Sequence, residues 1–133
     1  MQLPQIINLP KIIDRRGNLS FIEEDNHIPF KIKRSYWIYD VPGGECRGGH
    51  SYYKNKEFII ALSGSFDVKL DNGKDQLIFH LSRSYYGLFV PNGWWRELLN
   101  FSTNSVGLIL ASTLFNKEDY NYDYESLKAS HNK

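Results

Sequence analysis

The chain has a single cysteine, no excess of charge of either sign and no long hydrophobic run. Cys46 alone cannot form an intrachain disulfide, which suits a reducing compartment. Sixteen basic residues stand against 15 acidic ones, for a formal net charge of +1. We therefore expect no broad basic face for nucleic acid, although a local group of arginines can still bind a small anionic ligand.

Membrane and export signals are also lacking. No stretch approaches the roughly 20 apolar residues that a membrane-spanning helix needs. Residues 1–10 contain no basic segment followed by an apolar run, so we do not expect a signal peptide. These features predict a cytoplasmic protein with neither a membrane nor a nucleic-acid partner.

The residues that are present alternate with a period of two. Ile32, Arg34, Tyr36 and Ile38 share one face of an extended run, and residues 66–70 and 77–81 flank a turn. Short alternating runs joined by glycine, asparagine and proline predict an all-β fold. The length predicts one domain over residues 1–133, with its core at about 6–113.

Only the end of the chain has a helical pattern. Residues 116–119 contain capping side chains, and a short helix is predicted to follow through residues 120–127. This C-terminal helical appendage covers about residues 116–128.

Two segments resemble the sequence motifs of cupins, which are small antiparallel β-barrels of the jelly-roll type. At the cupin spacing, the first motif has Gly44, His50, Tyr52, Glu57 and Gly64, and the second has Pro91, Gly93, Arg96 and Asn100. Tyr52 and Arg96 stand where cupins have histidine. The resemblance implies an all-β, single-domain cupin with a short C-terminal helix.

The two replacements fall at ligand positions of the usual cupin metal site, which consists of three histidines and one glutamate. This chain keeps only His50 and Glu57 at those places. Arginine stays protonated and presents only donors, so Arg96 would repel a divalent cation. His27, His80 and His131 are not placed to restore the site. We expect neither a metal nor another cofactor.

Tyr52 and Arg96, the two replacing residues, belong to a larger set of polar side chains that the strand pattern brings together. His50 and Tyr52 lie two residues apart on one predicted strand, so they face the same side. If the face that carries Arg34 and Tyr36 is interior, the cluster of buried polar groups marks a site. Histidine can accept and donate protons near neutral pH. The planar guanidinium groups of Arg34, Arg47 and Arg96 can bind phosphate oxygens.

Structural roles are alternatives for several of these residues. His50 taken alone fits a core histidine satisfied by the backbone, but its place in the motif favours a site. Packing and ligand stacking are equally good interpretations of Trp95. Glu57 is interpreted as an ion-pair or hydrogen-bond partner without a chemical role.

Further stretches give a closer resemblance over about residues 6–125. They are Asp14–Leu19, Ile28–Tyr36, Arg47–His50, Leu62–Ser65, Trp95–Glu97, Phe101–Ser102, Leu110–Ser112 and Glu118–Tyr120. In these the chain is similar to the nucleotide-sugar 3,4-ketoisomerases, which act on dTDP-4-keto-6-deoxyhexoses. The resemblance implies a metal-independent homodimer that makes 3-keto-6-deoxy sugars for cell-surface polysaccharide, including lipopolysaccharide O-antigen.

The resemblance also implies roles for individual residues. His50 matches the family histidine that shuttles the carbon-bound proton, and Tyr36 matches a tyrosine that assists at the sugar oxygens. The expected catalytic residues are His50, Tyr52 and Tyr36, and the expected substrate-binding residues are Arg16, Arg34, Arg47, Arg96 and Trp95. Arg16 and Arg96 match the sugar pocket, whereas Arg34 and Arg47 are candidates for diphosphate contacts.

Tyr52 is the main departure from the family, which has a second histidine at this place. The ordinary pKa of tyrosine is about 10, so Tyr52 as a base would need a lowered pKa. One hypothesis is an isomerase working with His50, Tyr52 and Tyr36. The alternative is a non-catalytic nucleotide-sugar-binding cupin. A related epimerase is a third hypothesis, and a redox metallocupin is disfavoured.

Overall fold

The computed structural model describes residues 2–131, the side chain of residue 131 excepted. Over this range the chain forms twelve strands and one α-helix. The strands are β1 (Gln5–Asn8), β2 (Lys11–Ile12), β3 (Leu19–Ser20), β4 (Arg34–Ile38), β5 (Arg47–Tyr52), β6 (Glu57–Ser63), β7 (Phe66–Asp71), β8 (Gln76–Leu81), β9 (Tyr86–Val90), β10 (Trp95–Leu99), β11 (Val106–Ala111) and β12 (Tyr120–Asn121). A 3-10 helix spans Lys117–Asp119, and α1 spans Tyr124–His131.

The strands pair antiparallel in two large sheets and one small one. The first sheet has the order β1-β9-β6-β11-β4, the second has the order β12-β5-β10-β7-β8, and β2 pairs with β3. The two five-stranded sheets face each other as a sandwich, because a single buried cluster takes residues from both, such as Ile59 and Leu98. The all-β cupin prediction is confirmed, with sheets that are not closed into a complete barrel.

The first sheet is covered on both faces. Phe58, Ile60 and Phe89 point away from the second sheet and pack against Ile28 and Phe30, which precede β4. This outer cluster explains why β6 is a continuous apolar run, since alternation is lost when both faces of a strand are buried.

The predicted hairpin lies between β7 and β8. Asn72 accepts hydrogen bonds at its side-chain oxygen from the backbone of Lys74 and Asp75, at 2.9 and 2.7 Å. Gly73 follows with φ of +90°, a left-handed conformation that glycine adopts without strain. The turn prediction is confirmed.

The C-terminal segment differs from the predicted helix. Asn116 caps the short 3-10 helix by accepting a hydrogen bond from the backbone of Glu118 at 3.1 Å. The chain then pairs with the edge of β5, with Tyr120 opposite Tyr52. A strand at residues 120–121 uses the backbone groups that a continuous helix would need, so α1 begins only at Tyr124.

No helix within residues 2–131 is long and apolar enough to cross a membrane. The single-domain assignment over residues 1–133 reaches beyond the described range at both ends and stays a prediction.

Candidate active site

A cavity of about 400 Å³ opens between the two sheets. The side chains around it come from β4, β5, β10, β12 and the segment that leads into β12. Its lining residues are Arg34, Ser35, Tyr36, Ile38, Arg47, Gly48, His50, Tyr52, Arg96, Phe115 and Tyr120. Thus the three predicted catalytic residues and three of the five predicted binding residues lie together.

A β-bulge aims His50 into this cavity. On β10 the neighbouring residues Arg96 and Glu97 pair with His50 and Gly48, so Gly49 is an extra residue in β5. Gly48 and Gly49 have φ of +104° and +83°, which side chains rarely adopt. The bulge leaves His50 and Arg96 as direct cross-strand partners, which places both side chains on the same face.

Glu57, at the start of β6, lies at the centre of the polar cluster. Its carboxylate accepts a short hydrogen bond from the Tyr36 hydroxyl at Oε2. The other oxygen, Oε1, lies 2.7 Å from Nε of Arg96, although the N–H bond does not point at it, so this contact is ionic rather than an aligned hydrogen bond. Glu57 is 1% exposed and Arg96 is 3% exposed, so each charge depends on the other for compensation.

Arg96 also contacts His50 and, together with burial, affects its protonation. Nη1 of Arg96 lies 2.9 Å from Nε2 of His50, and since a guanidinium only donates, that ring nitrogen is the acceptor. Burial and the positive charge of Arg96 lower the pKa of His50 to about 3. His50 is therefore neutral at pH 7, with its proton on Nδ1.

The phenols of Tyr36 and Tyr52 stay protonated. Burial raises the pKa of both hydroxyls well above the ordinary value, and the nearby Glu57 carboxylate raises them further. Tyr52 lies 3.4 Å from Glu57 Oε2. These surroundings favour a hydrogen-bonding phenol at position 52 over a phenolate base.

Tyr120 and Phe115 are lining residues that sequence reasoning missed. The Tyr120 ring centroid lies 4.8 Å from that of His50 and 4.7 Å from that of Tyr52. The backbone nitrogens of Lys54 and Asn55 donate to the Asp119 carboxylate at 2.8 and 3.0 Å, which anchors this segment. The available signal was the motif Glu118-Asp119-Tyr120, which carried the family resemblance but suggested a helix.

Glu57 was assigned no chemistry from the sequence, yet it joins Tyr36, Tyr52 and Arg96. The signal was its place in the first cupin motif. Spacing alone does not reveal which side chains on other strands surround a motif residue, because those contacts are long-range.

Two further arginines, Arg34 and Arg47, line the cavity and differ in exposure. The Arg34 guanidinium lies 5.5 Å from the Tyr36 ring centroid and 5.7 Å from that of Phe115. Its Nε is buried without a hydrogen-bond partner. Arg47 is exposed. Both side chains retain donors for an anionic ligand.

Arg16 and Trp95 lie elsewhere. Arg16 is exposed and forms a 2.9 Å ion pair with Asp14. Trp95 precedes Arg96 in β10 and so faces the other side of the sheet, where it packs edge-on against Tyr124 and lines a separate hollow of about 330 Å³. Their substrate-binding roles stay predictions that this single chain does not support.

A larger hollow of about 600 Å³ shares Phe115 with the cavity, but none of the predicted catalytic residues lines it. The chemistry therefore belongs to the smaller cavity.

The donor set does not fit the metal that typical cupins bind. Among residues 2–131, no group of three or more His, Cys, Asp or Glu side chains could hold a metal ion. Nε2 of His50 is engaged by a buried guanidinium, whose charge opposes a cation at that place. His27 accepts from the Glu23 backbone and His80 pairs with Asp67, both outside the cavity, and the side chain of His131 lies outside the described residues.

The chain matches the family described as FdtA, WxcM-like, C-terminal, over residues 2–132. It is 40% identical over 124 residues to the TDP-4-oxo-6-deoxy-alpha-D-glucose-3,4-oxoisomerase of Aneurinibacillus thermoaerophilus, across 93% of this chain and 89% of that protein.

Solved structures of 3,4-ketoisomerases superpose on nearly the whole chain. A 3,4-ketoisomerase from Helicobacter canadensis superposes with a TM-score of 0.93 at 35% identity, covering 98% of each chain. A variant of the 3,4-ketoisomerase QdtA from Thermoanaerobacterium thermosaccharolyticum, in complex with TDP-4-keto-6-deoxyglucose, gives a TM-score of 0.93 at 32% identity. That match covers 96% of this chain and 92% of the other.

Proposed function

The chain belongs to the FdtA, WxcM-like C-terminal family and is a nucleotide-sugar 3,4-ketoisomerase, and we propose that it interconverts a dTDP-linked 4-keto-6-deoxyhexose and its 3-keto isomer through an enediol. The observation that carries this proposal is the pairing of neutral His50 with cationic Arg96 across β5 and β10. A neutral imidazole can accept a proton, and an adjacent buried cation stabilises the negative charge that then develops on oxygen.

The first step is removal of the C3 proton by His50. In the free protein, Nε2 of His50 accepts a hydrogen bond from Arg96. The substrate must therefore replace His50 as the acceptor of that N–H before His50 can act as a base. The 4-keto oxygen is the natural competitor, because it gains charge as the C3–H bond breaks. Arg96 then holds the enolate oxygen while His50 holds the proton that returns at C4.

Tyr36 and Tyr52 act as neutral hydrogen-bonding groups in this scheme. Their raised pKa values disfavour phenolate forms, so the carbon-bound proton falls to His50 alone. The mechanism with Tyr52 therefore differs from one with a second histidine, because Tyr52 does not act as a base in its place.

Arg34 and Arg47, which line the same cavity, suit the diphosphate of the substrate. Arg34 has a buried Nε without a partner, and Arg47 is exposed. With the sugar next to His50, the diphosphate leaves the cavity past these donors. No metal enters the mechanism, because Arg96 supplies the positive charge.

The alternative is a nucleotide-sugar-binding cupin without catalysis. The observation in its favour is the pKa of His50, which at about 3 makes a weak base in the free protein. The two functions differ in proton exchange, since a binding protein leaves the substrate protons in place.

One NMR time course separates these functions. The protein is mixed with dTDP-4-keto-6-deoxyglucose in deuterated buffer with a chelator, and the C3 and C4 signals are followed. A 3-keto product is expected. Binding without deuterium exchange would instead support the non-catalytic function.

We further propose a homodimer that serves deoxysugar biosynthesis for surface polysaccharide such as the O-antigen. Trp37 and Tyr39, 59% and 61% exposed near the sheet edge at β4, are apolar surface that a second copy could cover. Sedimentation equilibrium is expected to give about twice the 15.5 kDa chain mass, and a monomer at micromolar concentration would contradict the dimer.

A further inference from the structure

The hydroxyl hydrogen of Tyr36 points at Glu57, although Tyr36 lines the cavity. A phenol hydroxyl has one hydrogen to donate and two lone pairs that can accept. Tyr36 donates its hydrogen to Glu57 Oε2. Its oxygen receives a long 3.4 Å contact from Nη2 of Arg96 and also interacts with the Tyr52 hydroxyl. Toward the cavity Tyr36 therefore offers an acceptor, which suits a sugar hydroxyl rather than a sugar carbonyl.

The reaction moves two protons, and His50 accounts for only one. The carbon-bound proton goes from C3 to C4, while a second proton leaves the 3-hydroxyl and appears on the 4-hydroxyl. Tyr52 stands in place of the family histidine, and its hydroxyl lies 3.4 Å from Glu57 Oε2. Tyr36 makes a much shorter contact with the same oxygen, so it is the better-connected route for the oxygen-bound proton.

We propose that Glu57, acting through Tyr36, holds the oxygen-bound proton during isomerisation. This role rests on the ketoisomerase function proposed above. It makes Glu57 a relay and positioning residue that does not touch the substrate.

The steps balance as follows. His50 first takes the C3 proton, which leaves the enediol as its O4 anion (an enediolate), with a C3=C4 bond and the charge beside Arg96. The 3-hydroxyl then gives its proton to the Tyr36 oxygen while Tyr36 passes its own proton to Glu57 Oε2. The O–H electrons form the C3 carbonyl, and the C3=C4 electrons take the proton of His50 at C4. The proton on Glu57 finally returns through Tyr36 to O4, which restores all three residues.

The surroundings of Glu57 favour this path. The carboxylate is 1% exposed, so bulk water does not compete for its proton. The contact of Oε1 with Arg96 at 2.7 Å favours return to the carboxylate at the end of the cycle. Tyr36 remains a neutral phenol throughout, in agreement with the burial that disfavours its phenolate.

The test compares two rates in Glu57→Gln at saturating substrate in deuterated buffer. Deuterium entry at C3 of the starting sugar needs His50 and Arg96, whereas product formation also needs the oxygen relay. Glutamine keeps the volume and can accept from Tyr36, but it cannot carry the proton. We expect product formation to fall by about 100-fold or more, and deuterium entry to fall far less. Glu125→Gln, which removes the same charge from exposed α1, is the matched control and should change neither rate.

Tyr36→Phe provides a second, independent test, since it breaks the relay and leaves the Glu57–Arg96 contact. The same separation of rates is expected, and it decides the question if near-UV circular dichroism shows that Glu57→Gln is misfolded. An equal loss of both rates, or an unchanged product rate, would overturn the relay. A wild-type protein that forms no product would instead remove the proposed function, and the relay with it.

Discussion

At the scale of single residues, Arg96 changes what its neighbours can do. It stands where a cupin has a histidine, and its guanidinium contacts both His50 and Glu57. Burial opposes its charge, but the Glu57 carboxylate raises the pKa of Arg96 above its ordinary value. A permanent cation thus replaces the metal-binding group and, after burial, is the second cause that lowers the pKa of the neighbouring imidazole.

Replacing Arg96 should raise the pKa of His50. In Arg96→Gln the pKa is expected to move up from about 3 without reaching its ordinary value of about 6.5, because burial, the larger cause, remains. Titration of the His50 ring signals by NMR measures the change. Arg83→Gln, at an exposed position, is the control, and an unchanged His50 pKa in a folded Arg96→Gln protein would contradict this account.

His50 should also make the protein less stable in acid. The unfolded chain binds a proton at His50 below about pH 6.5, whereas the folded chain does so only near pH 3. Stability therefore falls as the pH is lowered through this window, by up to about 1.4 kcal/mol per pH unit from this group. Urea unfolding at pH 7 and pH 4.5 measures the loss.

In His50→Gln the loss between these pH values is expected to be smaller than in the wild type. Carboxylates contribute equally to both proteins, so the difference isolates His50. Equal losses in the two proteins would show that His50 is not held neutral by the fold.

At the scale of elements, the glycine bulge in β5 places His50 opposite Arg96. A Cβ on Gly48 would lie 2.6 Å from the Arg96 carbonyl oxygen, and φ at this position is +104°. Backbone and neighbouring strand both require glycine here, because the bulge brings β5 close to β10 where His50 meets Arg96.

Gly48→Ala is expected to destabilise the protein by roughly 2 kcal/mol or more, from backbone strain together with the clash. It should also displace His50 and lower turnover. Gly43→Ala is the control, since a Cβ there meets no atom within 4 Å and needs no positive φ. Thermal unfolding and the NMR isomerase assay check both effects, and equal behaviour of the two variants would contradict the role of the bulge.

The C-terminal elements illustrate a limit of pattern reasoning. Residues 116–127 contain good capping and helical residues, yet residues 120–121 form β12. The edge of β5 and the Asp119 contacts with the Lys54 and Asn55 backbone stabilise the extended form. Those partners lie more than 60 residues away, so a local pattern cannot reveal them.

At the scale of the whole molecule, residues 2–131 contain two buried apolar clusters with different roles. One fills the space between the sheets and packs against Tyr36. The other covers the outer face of the first sheet and includes fully buried Ile28. Stability is therefore shared by both clusters, while only the first supports the cavity.

Ile28→Ala should separate stability from catalysis. Loss of this buried side chain is expected to cost about 2–5 kcal/mol, measured by urea unfolding, with little change in turnover under folding conditions. Ile78→Ala, at a position 69% exposed, should change neither quantity. A proportional loss of turnover in Ile28→Ala would mean that the outer cluster also holds the site.

The sequence by itself determined the fold class, the hairpin at residues 71–76 and the candidates His50, Tyr52, Tyr36 and Arg96. Alternation with a period of two and fixed motif spacings are local properties that survive without coordinates. Only the tertiary structure decided that Glu57 joins these residues, that Tyr120 closes over His50, and that Arg16 and Trp95 lie outside the cavity. These outcomes depend on which strands become neighbours and on a bulge that turns one side chain inward, and both arise from contacts between distant parts of the chain.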